Sequence, residues 1–366
     1  MLNIAIIGAG IMGRVLAWKL CQHHNVSLYD QDPIATGQAA AYTAAGMLSP
    51  FSELESAENL IFELGMQSLP LWKQLMQELN ASHLLNDSGS IIVAHTNDRP
   101  DHQRFIQQLH HKLPDGNSFR SLNSTQLHTL EPELCQRFND ATFLPQEASV
   151  DAEATMQQLA NHLLANPNVQ WYAEIAIHAL EAHTVSHNNK RKHYDWVIDC
   201  RGLGAKQEMP ELRGVRGEVM WFHAPDVSLT HVVRLMHPRY RLYIVPRANH
   251  HYVIGATQIE SDDMGPITVR SALELLSATY SIHSGFAEAQ ILQTKTNCRP
   301  ALRNNLPRIQ VSPGLMRING LFRHGFLLAP ILAHEAIEAL QSVNYQSPFE
   351  QLIDWQQPTL KEHHFL

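Results

Sequence analysis

The chain has 366 residues, 44% of them apolar and 17% charged, so it can bury a sizeable core, is not disordered, and is long enough for two domains. Its net charge of −8 argues against broad binding to nucleic acid or to an anionic membrane surface. Cys21, Cys135, Cys200 and Cys298 lie far apart with no C-x-x-C pair, which excludes a disulfide framework or a zinc ribbon and fits a reducing compartment.

Residues 1–7 lack the basic start and long apolar core of a signal peptide, and no run reaches the roughly 18 apolar residues of a membrane span. The expectation is a cytoplasmic protein. Asn3-Ile4-Ala5-Ile6-Ile7 is a short β-branched run and predicts a buried strand. Gly8-Ala9-Gly10-Ile11-Met12-Gly13 follows at once, then a helical pattern over 12–22, and a second strand at Val26-Ser27-Leu28-Tyr29 closed by Asp30. Residues 53–79 predict a helix broken near Pro70, and 90–94 predict a strand. Pro114-Asp115-Gly116 predicts a turn, 151–164 a helix, and 169–180 at least one strand. Lys190-Arg191-Lys192 reads as a hairpin turn ahead of a strand at Trp196-Val197-Ile198. Segments 241–247 and 252–255 alternate as paired strands, and the last helix is predicted over 327–340. No repeat and no low-complexity linker separates these segments, so the domains interleave.

Strand, glycine turn, helix, strand and acid together open a βαβ unit that binds a dinucleotide. Gly8 permits the tight turn, Gly10 lets backbone approach a pyrophosphate, and Gly13 lets helix and strand pack closely. Helix N-terminal N–H groups then face the phosphates. Asp30, twenty positions after Gly10, can accept hydrogen bonds from ribose hydroxyls. The motif alone leaves flavin and nicotinamide dinucleotides open. The 23 histidines include adjacent pairs at His23-His24, His110-His111, His250-His251 and His363-His364, whose side chains diverge and do not make a metal site. His334-Glu335 starts a zinc-protease pattern that fails because position 338 is Glu.

Further segments decide between the dinucleotides. They are Ala44-Ala45-Gly46-Met47-Leu48-Ser49-Pro50, with Glu53 just beyond, then Asp199-Cys200-Arg201-Gly202-Leu203-Gly204 and Tyr243-Ile244-Val245-Pro246-Arg247. Ile254-Gly255-Ala256-Thr257, Cys298-Arg299-Pro300, Asn305-Leu306-Pro307 and Phe322-Arg323-His324-Gly325-Phe326-Leu327-Leu328-Ala329-Pro330 complete the set. In this order they resemble the D-amino-acid-oxidase-like FAD-dependent oxidoreductases, nearest to the glycine-oxidising branch that serves the thiazole of thiamine. The likeness runs from Ile4 to about Leu340. It implies an α/β fold in which a Rossmann-like FAD-binding domain (1–85, 147–215 and 300–366) is interleaved with a substrate domain (86–146 and 216–299). The substrate domain is built on a mostly antiparallel sheet.

The resemblance also implies site residues. Gly8, Gly10, Ile11, Met12, Gly13 and Asp30 would hold the pyrophosphate and ribose of non-covalent FAD. Ala44, Ala45, Gly46 and Met47 would pass the flavin ring, Ile177 would make a backbone contact to adenosine, and Gly202 would lie beside the cofactor. His324, Gly325, Phe326, Leu327 and Leu328 would present N–H groups to the flavin pyrimidine edge. Arg299, Arg323 and Tyr243 would bind the substrate, with Arg299 as carboxylate clamp, because a planar guanidinium can hold both oxygens. A structural salt bridge is the alternative for each arginine. Cys298, beside the clamp, raises a covalent flavin link as a second option.

Two segments depart from the family pattern. The run before the last helix reads Leu321-Phe322-Arg323-His324 where the family has His and Asn around the Arg, and Asn304-Asn305 replace an acid. The implied reaction is oxidation of glycine, sarcosine or a D-amino acid by hydride transfer from Cα to flavin N5, giving an imine. Dioxygen or another acceptor takes the electrons, and a homo-oligomer is the family's common assembly. No side chain is assigned as acid or base, since the amine need only be neutral when the hydride leaves. The alternatives are a D-amino-acid dehydrogenase with a non-oxygen acceptor and a non-catalytic FAD-binding protein.

Overall fold

The computed structural model describes residues 1–113, 118–238, 242–342 and 345–356. Two large sheets organise it. The first has seven strands in the order Ile353–Trp355, Arg308–Ser312, Leu315–Asn319, Trp196–Asp199, Asn3–Ile7, Asn25–Tyr29 and Val169–Tyr172. The five strands from Leu315–Asn319 to Val169–Tyr172 run parallel, and Arg308–Ser312 adds an antiparallel strand beside them. Ile4, Ala5, Ile6 and Ile7 are all buried, the continuous apolar run of a strand covered on both faces.

Helix Ile11–Leu20 follows the glycine turn and packs against helices Ala152–Ala165 and Gly325–Gln341. The helix predicted over 53–79 divides differently from the expectation. A short helix, Pro50–Glu53, is followed by an unbroken Asn59–Glu78 that contains Pro70. Pro70 faces solvent, where the carbonyl it leaves unpaired can be hydrated. The chain instead breaks at 54–58, and that break sets Glu53 apart from the long helix. Trp72 of this helix is fully buried and its Nε1 donates to the Phe326 carbonyl at 2.7 Å, so the long helix braces the start of Gly325–Gln341.

The second sheet has nine strands. Eight follow the order Ile259–Glu260, Arg213–His223, His251–Gly255, Leu242–Arg247, Val232–Met236, Ser90–Ala94, Asp140–Leu144 and Arg120–Asn123, and Gln290–Ala301 also pairs with Arg213–His223. Its ladders are antiparallel except for Val232–Met236 with Ser90–Ala94. The protein is thus α/β, with one mostly parallel sheet and one mostly antiparallel one.

Lys190-Arg191-Lys192 is a strand and not a turn: the turn is Asn188-Asn189, both at positive φ (49° and 59°), which joins Thr184–His187 to Lys190–His193. Asn tolerates that left-handed geometry where lysine and arginine do not, and two such residues give the favoured hairpin twist. The turn predicted at Pro114-Asp115-Gly116 lies outside the described residues, as does Arg241 of the predicted strand 241–247. Among the described residues no helix is long and apolar enough to cross a membrane.

Candidate active site

One cavity of about 1160 Å³ runs between the two sheets, from Asp30 at one end to Arg299 and Tyr243 at the other. It exceeds the roughly 300–1,000 Å³ of a pocket for one drug-sized molecule and opens at the carboxyl ends of strands Asn3–Ile7 and Trp196–Asp199, where open α/β sheets bind ligands.

The end of the cavity at Asp30 is built by the glycine turn. Gly8 sits at φ +101°, and a Cβ there would stand 2.5 Å from the Cys200 carbonyl oxygen, so only glycine lets the turn pass the neighbouring strand end. Gly10 has room: a Cβ there would make only ordinary contact with the Ala39 methyl at 3.7 Å, so the backbone is bare towards the cavity. Gly10 is also the N-cap of Ile11–Leu20, whose first turn holds no acid to compete with a phosphate. Asp30 accepts from the Ala9 N–H and, at 2.8 Å, from the Asp32 N–H. Burial pushes its pKa up while these two bonds pull it down. Arg14, which sequence reasoning passes over, is buried and donates to the Ala9 carbonyl at 2.7 Å and the Met156 carbonyl at 2.6 Å. It ties the glycine turn to helix Ala152–Ala165.

Gly8, Gly10, Ile11, Met12, Asp30, Ala44, Ala45, Gly46, Met47, Ile177, Gly202, His324, Gly325, Phe326 and Leu327 all line the cavity. Gly13 and Leu328 are not on its wall. Gly13 packs onto the Gly8 carbonyl, the close helix–strand approach its position requires, and Leu328 is fully buried in the core because its side chain points away one helical position further on. Ile177 has its carbonyl taken by Arg201 Nη1 at 3.0 Å, which leaves its N–H as the group for a ligand. Arg201 in turn is paired with Asp199 at 2.8 Å and Glu208 at 2.9 Å.

The loop at 44–47 is fixed from strand Leu242–Arg247 of the second sheet. Arg247 Nη2 donates to the Ala45 carbonyl at 2.6 Å and the Val150 carbonyl at 2.9 Å. Gly46, at φ +67°, accepts from the Val150 N–H at 2.8 Å and has no room for a side chain beside the Val150 carbonyl. The alternation around Arg247 marks it as a strand residue; its hydrogen bonding to a loop 202 positions away has no local signal.

At the other end, Arg299 and Tyr243 both line the cavity. The Arg299 Nη1 donates to the Thr257 carbonyl at 3.1 Å. Among the described residues no carboxylate lies within ion-pair distance of Arg299. Burial lowers its pKa, and nearby Tyr243 opposes that shift; a guanidinium stays charged regardless. Burial raises the Tyr243 pKa against the pull of Arg299.

Arg323 is placed differently from the expectation of a substrate group. It lines the cavity, but its Nε donates to Glu53 Oε2 at 2.9 Å, its Nη2 donates to the same oxygen, and Ser56 Oγ lies 3.3 Å away. His324 Nε2 is 2.9 Å from that oxygen too. The charge of Arg323 is therefore balanced by Glu53, a residue noted in the sequence without a role. Burial alone would raise the Glu53 pKa, yet Arg323 and His324 hold it well below the ordinary carboxylate range. Cys298 offers no ready nucleophile: it is buried, its Sγ donates to the Ser261 and Asp263 carbonyls at 3.4 and 3.5 Å, and burial raises its pKa.

Residues 3–339 match the DAO family, described as FAD dependent oxidoreductase. The chain belongs to this family. It is 37% identical over 340 residues to the putative thiamine biosynthesis oxidoreductase ThiO of Rhizobium etli, covering 93% of this chain and 96% of that one. It is 24% identical over 352 residues to the glycine oxidase of Bacillus subtilis, covering 89% of each. Among solved structures, glycine oxidase from Geobacillus kaustophilus superposes with a TM-score of 0.82 at 22% identity, covering 96% of this chain and 97% of that one. Iminodiacetate oxidase from Chelativorans sp. BNC1 superposes with a TM-score of 0.80 at 21% identity, covering 97% and 99%. The enzyme is an FAD-dependent oxidoreductase. Its residues fit that cofactor: a bare glycine backbone at a helix N-terminus, an acid at the strand end, and a cavity that continues from them to Arg299 and Tyr243.

Proposed function

We propose that the enzyme oxidises glycine or a closely related small amino acid at Cα, giving the imine that water hydrolyses. The observation that carries this reading is Arg299, a cavity-lining guanidinium without a carboxylate partner among the described residues, set beside the Tyr243 phenol. A charge so placed, in walls that raise the cost of leaving it unpaired, suits a substrate carboxylate held by two parallel hydrogen bonds. Arg323 does not share this role, because Glu53 already neutralises it. The net charge of the Arg299, Arg323 and Glu53 group is +1, which matches one carboxylate and not two.

When bound, FAD accepts the two electrons released with the Cα hydride and passes them to dioxygen or another acceptor. The protein's part is positioning. Gly8, Gly10, Ile11 and Met12 with Asp30 would hold the dinucleotide, and residues 44–47 and 324–327 would flank its ring. Arg299 and Tyr243 fix the carboxylate so that one Cα–H is oriented, which converts a bimolecular encounter into an ordered one. The amine must lose its proton before the hydride leaves; no buried carboxylate is assigned that task. We retain the division into a discontinuous cofactor domain (1–85, 147–215 and 300–366) and a substrate domain (86–146 and 216–299). The relatives' roles support a place in thiamine biosynthesis.

The test is anaerobic mixing of FAD-loaded enzyme with glycine, sarcosine, D-alanine and L-alanine, each followed by flavin absorbance. Bleaching by glycine, sarcosine or D-alanine but not by L-alanine is expected. Silence with all four refutes the reading. Hydrogen peroxide formed under air separates an oxidase from a dehydrogenase.

A further inference from the structure

The clamp needs a place to lie, and the sheet supplies it by omitting a side chain. Strand Gln290–Ala301 pairs antiparallel with Arg213–His223 so that Arg299 stands opposite Val215. Residues alternate between faces along a strand, so Val215, Gly217 and Arg299 share one face, and Gly217 is the diagonal neighbour of Arg299. The guanidinium lies against the Gly217 backbone. A Cβ at that position would overlap Cζ, Nη1 and Nη2 of Arg299, far inside contact distance.

The bed is rigid. Arg216 and Glu218, which flank Gly217 on the opposite face, form a buried pair through Nε at 3.1 Å and Nη2 at 2.7 Å. Glu218 also grips Thr257, whose carbonyl is the acceptor for Arg299. Its N–H donates to Thr257 Oγ1 at 2.9 Å, and the Thr257 hydroxyl and N–H donate back to Glu218 Oε2 and carbonyl at 2.8 and 3.3 Å. The glycine that Arg299 rests on and the carbonyl that holds Nη1 are therefore one unit.

We propose that Gly217 is a positioning residue for substrate recognition: its missing side chain seats the Arg299 guanidinium against the strand, with the carbonyl of Glu218-clipped Thr257 fixing its rotation. The atoms a methyl would meet are the far end of a flexible side chain and not backbone. In Gly217→Ala the sheet keeps its register and the guanidinium swings out of place. The loss falls on carboxylate binding and not on folding. This inference rests on Arg299 being the carboxylate clamp.

The test compares FAD-loaded wild type, Gly217→Ala, Arg299→Lys and the double variant. The dissociation constant of acetate is read from the flavin absorbance change, alongside KM and kcat for glycine, FAD content and melting temperature. Each single variant is expected to weaken acetate binding and raise KM at least about tenfold, the order of one lost charge-assisted bond, with kcat changed less. The double variant should be no more than about twofold worse than Arg299→Lys, since residues acting through one contact are non-additive. Wild-type binding in Gly217→Ala, additive effects in the double variant, or loss of FAD from Gly217→Ala each overturns the role of Gly217. Wild-type acetate binding in Arg299→Lys instead overturns the clamp reading itself.

Discussion

Replacing Glu53 by Gln tests whether the charge balance around Arg323 is as the geometry indicates. Glu53 Oε2 receives two N–H groups from Arg323 and stands 2.9 Å from His324 Nε2. Gln keeps the shape but removes the charge, leaving Arg323 partly buried without its counter-ion. Breaking one side of a buried pair costs about 3–5 kcal/mol. The Glu53 and Arg323 side chains each remain 18% exposed, so partial solvation brings the expected loss to about 2–4 kcal/mol, between the buried and surface regimes. The pH dependence has a definite sign. Glu53 has its folded pKa held below its ordinary 4.5, so its contribution is complete above that value and is lost as pH falls towards the folded pKa. From the ordinary value of 4.5, the gap between wild type and Glu53→Gln should shrink by on the order of 1 kcal/mol at pH 4 relative to pH 7. Urea titration of the FAD-loaded proteins at both pH values, followed by tryptophan emission, provides the assay. Equal midpoints at pH 7, or a gap that widens on acidification, would refute the reasoning.

Other substitutions probe the remaining walls. Arg299→Ala should raise KM for every carboxylate-bearing amine about a hundredfold, taking the charged pair as roughly 3 kcal/mol, and steady-state kinetics across several amines checks it. Asp30→Ala should weaken FAD binding about tenfold, on the order of one hydrogen-bonded charge, while the flavin that stays bound is reduced at nearly the wild-type rate; equilibrium dialysis and anaerobic stopped flow separate the two. Gly8→Ala should yield protein largely devoid of FAD, because its methyl must enter the 2.5 Å space before the Cys200 carbonyl at φ +101°; absorbance of the purified protein reads this directly. The rate of flavin reduction at a fixed substrate concentration should rise with pH as the amine is deprotonated, and a flat profile in anaerobic stopped flow would refute this.

Much of this protein is legible in order along the chain. The apolar run at 3–7, the glycine turn and Asp30 determine a dinucleotide site by themselves, because turn geometry, helix N-terminus and acid all lie within thirty residues and obey local rules. The strand segments at 243–247 and 252–255 likewise appear where their alternation places them. Helix boundaries are less legible: Pro70 is a local breaker on paper, but its exposed position lets helix Asn59–Glu78 continue through it. Charge placement is not legible at all. Arg299 and Arg323 look alike as arginines within apolar segments, and only the fold decides that Glu53, 270 positions from Arg323, pairs with that one and leaves the other without a carboxylate partner among the described residues. The same holds for Arg247, which holds the loop at Ala45, and for Gly217, which looks like any strand glycine until Arg299 is laid across it. Periodicity and turn chemistry act between near neighbours, so the sequence specifies them directly. Ion pairing and steric room act between residues that meet only when two sheets close on one cavity, so tertiary structure alone determines which of these two arginines has a counter-ion.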